Sequence, residues 1–272
     1  MATSRWSMFV NRMNRSSQRL RDGTAHVLRM DGVEGPSRAP KSLLSFNTRD
    51  DINDLAVGCD ADIGGTSSAR LDFILDSPDD PSGKGKGKFW GEMKLGLRGN
   101  SNAQGRTMRS GYAGFRSKRR PTLFGELTDD ISNHEFLALR LRVAGHPRTH
   151  NSYFVNVQTD APVSGELWQH RLYFRNNDGS WEDIFIPFSA FALTSYGELT
   201  DSSVTMEGER IRWLGISILG GNAGVEGPFE LGLDSIKAVN KEDVTLPIHH
   251  DGNDFHAGAE SSDGTPWERG PR

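Results

Sequence analysis

The chain has 272 residues, 35% of them hydrophobic and 25% charged, with a formal net charge of −4. That length allows one large domain with tails or two small ones, and the negative balance excludes a protein that binds polyanions with its whole surface. The single cysteine, Cys59, excludes an internal disulfide, and no run reaches the roughly 18 apolar residues of a membrane-spanning helix.

The first segment, "MATSRWSMFVNRMNRSSQRLR", carries five arginines and no acidic residue before Asp22. It reads as an organelle presequence or as a basic, helix-capable arm of the mature protein. The expected organisation is a basic segment over 1–41, a β domain over 42–240 and a polar tail over 241–272.

From residue 69 onward the pattern has period two. Leu71, Phe73 and Leu75 alternate with acidic neighbours. Met93, Leu95 and Leu97 do so with Lys94, Gly96 and Arg98. Leu137, Leu139, Leu141 and Val143 share one face, and Tyr153, Val155 and Val157 another. Further strands are expected at 171–175, 181–188, 211–219 and 229–239. Turn clusters such as "HPRTHN", "RNNDGS" and "GGNAGVEGP" separate them. Short strands with this punctuation predict an all-β sandwich rather than βαβ units. The stretch 77–89, with lysines between glycines, reads as a flexible loop.

Catalytic patterns are sparse. Cys59 lies in "VGCDAD" with no nucleophile elbow, so it reads as a structural thiol. His249, His250, Asp251, Asp254 and His256 are metal-ligand types, yet their place in a Gly- and Pro-rich tail favours a solvated segment. The pairs Asp50–Asp51 and Asp129–Asp130 read as turn or capping residues. "GYAGFRSKRRP" (111–121) pairs glycines with a basic cluster, as a phosphate cradle does. Pro121 and the flanking β pattern deny it the helix such a loop opens, so Gly111 and Gly114 are expected to mark close backbone packing. Lys118, Arg119 and Arg120 then form a basic turn that can touch a partner or a lipid headgroup.

If 137–143, 153–159 and 171–175 are neighbours, Arg140, Arg142, Asn156, Gln158, Arg171, Tyr173 and Arg175 share one face. That face is either a recognition surface or an ordinary solvated sheet face. Trp181 and Trp213, inside β-patterned runs, are expected in the core, and Trp168, in "GELWQHR", at an exposed contact.

The ordered set "IGGTSSARL" (63–71), "GYAGFRS" (111–117), "LALRLRVAG" (137–145), "YFVNVQT" (153–159), "WEDIFIPFSAF" (181–191) and "GPFELGLDSI" (227–236) resembles the complex I intermediate-associated protein 30 family. The resemblance covers roughly residues 42–240. It implies a galactose-binding-like jelly-roll sandwich and a non-enzymatic assembly factor for mitochondrial NADH:ubiquinone oxidoreductase. Such a factor binds membrane-arm assembly intermediates and other assembly factors on the matrix side of the inner membrane. Peripheral lipid contact, no cofactor and no nucleic acid complete that expectation. The other reading is a carbohydrate-binding module or an accessory domain of a carbohydrate enzyme, using Trp168 and Tyr173.

Overall fold

The computed structural model describes residues 37–75, 85–97, 110–122, 125–160, 166–195, 198–200, 204–206, 210–221 and 223–245. Residues 1–36 of the basic segment, with the helix-capable stretch 3–21, and the histidines of the tail lie outside the described residues. The chain divides into two compact units, Met1–Ala39 and Pro40–Arg272. Of the first, residues 37–39 are described and are irregular; every element named below belongs to the second.

The elements in order are β1 (Lys41–Ser45), α1 (Arg49–Asn53), β2 (Leu55–Cys59), β3 (Ser68–Leu75), β4 (Gly85–Met93), β5 (Tyr112–Ser117), β6 (Pro121–Thr122), β7 (Gly125–Glu126) and β8 (Asp129–Asp130). They continue with β9 (Phe136–Gly145), β10 (Tyr153–Thr159), β11 (Glu166–Arg171), β12 (Glu182–Pro187), β13 (Ala192–Ser195), β14 (Glu198–Leu199), β15 (Arg210–Leu219) and β16 (Gly227–Val239). Sheet I runs β12-β9-β16-β4-β3, with β1 beside the second half of β16. Sheet II runs β14-β13-β11-β10-β15-β5-β2, with β8 beside β15. Every pairing is antiparallel. Two antiparallel sheets packed face to face form the jelly-roll sandwich expected.

The core follows from the alternation. Leu137, Leu139, Leu141 and Val143 of β9 point inward, as do Tyr153, Val155 and Val157 of β10, and all are buried. Phe89 of sheet I meets Phe115 of sheet II edge-on, with ring centroids 5.2 Å apart. Such aromatic pairs add about 0.5–1.5 kcal/mol beyond the area they bury. The short helix α1 is capped as the acidic pair suggested. Thr48 Oγ1 accepts from the Asp51 amide at 3.2 Å, and the Asp51 carboxylate accepts from the Thr48 amide at 3.0 Å.

Three expectations are corrected. Residues 85–89 of the supposed loop open strand β4, whose pairing ends at Met93, where the expected strand began. Glycine alternating with lysine is itself a period-two pattern. Gly85 and Gly87 are buried: a Cβ at Gly85 would collide with Phe73 and the Ile74 carbonyl, and one at Gly87 would crowd Ile52, Phe46 and Leu233. Lys86 and Lys88 face outward and pair with Asp234 and Glu230. The strand expected at 171–175 lies at 166–171, because Trp168 and His170 face inward opposite Val157 and Val155. Finally, β9 belongs to sheet I, whereas β10 and β11 belong to sheet II. Arg140 and Arg142 are therefore on the opposite side of the sandwich from Asn156, Gln158 and Arg171.

Candidate functional site

Two of the ordered sequence segments meet at one buried carboxylate. Asp60, 1% exposed, follows β2 and accepts hydrogen bonds on both oxygens. Oδ1 takes the Ser67 amide at 2.9 Å. Oδ2 takes the Ser67 hydroxyl at 3.0 Å and the amides of Gly111 and Tyr112 at 2.6 and 3.4 Å. A buried carboxylate is tolerated only with such a set of donors. The segment around Ser67 is thereby tied to the head of β5. Gly111 is held at φ +77°, and a Cβ there would lie 2.5 Å from Leu95 Cδ2 and 2.8 Å from the Gly221 amide nitrogen. Only glycine fits both the conformation and the space.

This anchor sets the start of β5 and with it the outer face of sheet II. On that face β2, β5, β15, β10 and β11 present Gly58, Gly114, Gly215 and Ser217 near its middle and larger side chains around them. The result is an open hollow of about 450 Å³, walled by Tyr112, Arg116, Asn156, Gln169, Trp213 and Ser217. At Gly114 a Cβ would lie 2.9 Å from Tyr112 Oη, so the missing side chain is what lets that ring lie down on the strand.

The walls are cross-linked. Gln169 Nε2 donates to Asn156 Oδ1 at 2.6 Å, and Asn156 Nδ2 donates to Ser217 Oγ at 2.9 Å. Trp213 Nε1 donates to Gln158 Oε1, and the Arg116 guanidinium lies 5.5 Å over the Trp213 ring. Burial raises the Tyr112 hydroxyl above its ordinary pKa against the opposing pull of Arg116, so it stays protonated and able to donate. Amides, a phenol and a stacked guanidinium are groups that hold a polar ligand in place.

The residues singled out from the sequence distribute differently. Trp168 is 4% exposed and faces the core, so it is no surface contact; its loss also removes one of the two aromatics on which a saccharide reading rested. Trp181 and Trp213, expected in the core, are half-buried and carry cations on their rings. Lys118 Nζ donates to the Asn53 carbonyl at 2.6 Å, Arg119 lies 3.8 Å from Glu126, and Arg120 pairs with Asp129. On sheet I, Arg140 pairs with Asp183 at 2.7 Å, while Arg142 lies over Trp181 and 3.8 Å from Glu230. On sheet II, Arg171 is exposed and lies 5.2 Å over the Phe154 ring. Half-buried Tyr173 packs edge-on against His170, and exposed Arg175 donates its amide to Glu182. Sequence reasoning passed over Tyr112 and Arg116, although their period-two spacing around Gly114 in "YAGFR" places all three on one strand face.

The family model for Complex I intermediate-associated protein 30 matches residues 44–233, from β1 to β16. The chain belongs to the CIA30 family. Its match to the Neurospora crassa protein named Complex I intermediate-associated protein 30, mitochondrial, is 30% identical, covering 89% of this chain and 88% of that one. The Drosophila melanogaster protein of the same name is 29% identical over 71% of this chain and 61% of its own length. This CIA30 chain is also similar in structure to a family 11 carbohydrate-binding module from Clostridium thermocellum in complex with a β-1,3-1,4-mixed-linked tetrasaccharide. There the TM-score is 0.49 at 15% identity, covering 79% of this chain and all of the module. The Asp60 anchor and the hollow of sheet II both fall inside the CIA30 span.

Proposed function

We propose that the protein is a non-enzymatic assembly factor for mitochondrial respiratory complex I. It binds membrane-arm assembly intermediates together with other assembly factors, on the matrix side of the inner membrane. The observation that carries this reading is family membership across both sheets, with relatives named as mitochondrial complex I intermediate-associated proteins. The geometry supports it: a rigid sandwich presents a broad polar hollow on sheet II and a charged, tryptophan-bearing face on sheet I. Such faces suit recognition of another macromolecule.

Peripheral placement belongs to the same proposal. Arg119, more than half exposed on the turn after β5, is its candidate headgroup contact, worth about 1 kcal/mol near an anionic surface. The test is deletion of the gene, with solubilised mitochondrial membranes resolved by native electrophoresis. Membrane-arm intermediates should accumulate or vanish while mature complex I falls. Unchanged complex I in the deletion strain would refute the proposal.

A further inference from the structure

Among the described residues some arginines lie beside carboxylates and others on aromatic rings, Arg49 and Arg70 being of the second kind, over Phe73 and Trp90 of sheet I. Arg120, Arg140, Arg142, Arg210 and Arg212 all lie beside carboxylates. Arg116 and Arg171 do not. Each lies on an aromatic ring of the neighbouring strand, and no carboxylate among the described residues lies within ion-pair distance of either. Both are exposed, and both stand on the outer face of sheet II. A guanidinium stacked on a ring keeps its edge N–H donors directed outward in a fixed fork that matches a carboxylate.

Their separation follows from the strand order. Arg116 on β5 and Arg171 on β11 are three strand spacings apart, across β15 and β10. In register, Arg116 is level with Gly215, Asn156 and Gln169, and Arg171 is two residues further along its strand. With about 4.8 Å between strands and about 3.4 Å per residue, the backbones are about 16 Å apart. An extended peptide covers that distance in about four to five residues, and residues four apart project from the same side, their side chains making up the remainder. Between the two cations lie Gln169, Asn156 and Ser217, whose amide and hydroxyl groups can meet a main chain crossing the face.

We propose that this face docks an extended acidic segment of a partner protein, with two carboxylates four residues apart, on one side of the segment, held by Arg116 and Arg171. The charge complementarity names the occupant: a face whose two arginines have no carboxylate within ion-pair distance among the described residues. The inference deepens the assembly-factor reading and rests on it only for the choice of a protein as the source of the carboxylates.

The test uses the full chain, labelled to show the arginine Nε–H resonances. The probe is the peptide acetyl-Glu-Gly-Ser-Gly-Glu-amide, with the same peptide bearing glutamine at both ends as control. Titration to millimolar concentration should shift the Arg116 and Arg171 signals together. Arg116→Gln and Arg171→Gln should each weaken binding by about tenfold, as should the glutamine peptide. Both side chains are exposed, so matching thermal unfolding of the variants verifies their fold. Equal binding of the glutamine peptide, shifts confined to other arginines, or no shift at all would overturn the proposal. So would a β-1,3-1,4-linked tetrasaccharide that shifts these signals where the peptide does not. A deletion strain with normal complex I would remove the assembly reading without altering the titration, so the two failures are distinguishable.

Discussion

Replacing Asp60 by asparagine tests whether the buried carboxylate holds the domain together. The substitution keeps the shape and changes only what the second polar atom can do. Oδ1 accepts from the Ser67 amide, and Oδ2 accepts from the amide of Gly111. Backbone N–H groups cannot reverse their polarity, so whichever way the asparagine turns, its NH2 faces a donor. One buried donor is left unpaired, at about 1–3 kcal/mol, and a charge-assisted hydrogen bond is exchanged for a weaker neutral one. The loss should be about 3 kcal/mol. For a domain of this size that lowers the melting temperature by about 6–12 °C. Circular-dichroism melts and urea unfolding measure it, with Asp62→Asn as the control. Asp62 is exposed and, among the described residues, accepts the Cys59 amide at 3.3 Å, so its variant should lose about 1 kcal/mol or less. An Asp60→Asn protein melting within about 1 °C of the parent would refute the reasoning.

The other expectations are briefer. The Asp234 carboxyl is raised by burial and lowered more strongly by Lys86, Asn47 and Arg140, leaving it below its ordinary 3.8. A depressed carboxyl contributes stability that is present above the unfolded value and lost as pH falls through the folded one. Denaturant titrations below about pH 4 should therefore show a decline that Asp234→Asn lessens. Trp168→Ala empties a core site and should cost about 3–5 kcal/mol by urea unfolding. Trp213→Phe, which keeps a half-buried ring but loses the hydrogen bond to Gln158, should cost less, about 1–2 kcal/mol. Gly111→Ala forces a side chain into a left-handed conformation against Leu95 and the Gly221 backbone, and should destabilise by about 1–3 kcal/mol in the same assay.

The legibility of the fold varied with the range of the interaction that decided each element. Strands β9, β10, β15 and β16 showed in the sequence because Leu, Val and Ile alternate along them, a period-two signal carried by the strand itself. The opening of β4 was missed because its inward positions are glycines, and the reasons for them, Phe73 and Ile74 at Gly85 and Phe46 and Leu233 at Gly87, lie in other elements. Which strands share a sheet was not legible, since pairing is fixed by distant partners. The two tryptophan assignments reversed for a related reason. In β11 the parity is regular, and Trp168 falls inward opposite Val157. In β15 Trp213 alternates regularly with buried Leu214, Ile216 and Ile218 and so faces outward, while the register shift against β10 between Gln158 and Thr159 turns Ile211 inward and hides that parity. No local pattern reveals that shift. The Asp60 anchor was likewise invisible, because the carboxylate is separated from Gly111 by 51 positions.

Strand β16 carries a consequence for how the domain comes into being. One of its edges is paired by β9 along nearly its whole length, while the other is shared between β4 and, past Asp234, β1. The first strand of the domain thus finds its neighbour only in the last. A chain emerging from a ribosome or a translocation channel holds sheet I incomplete, with its central position vacant, until residues 227–239 are released. The domain should reach its protease-resistant state late and in one step, and a polypeptide stopped before residue 227 should be degraded rather than accumulate as a folded intermediate.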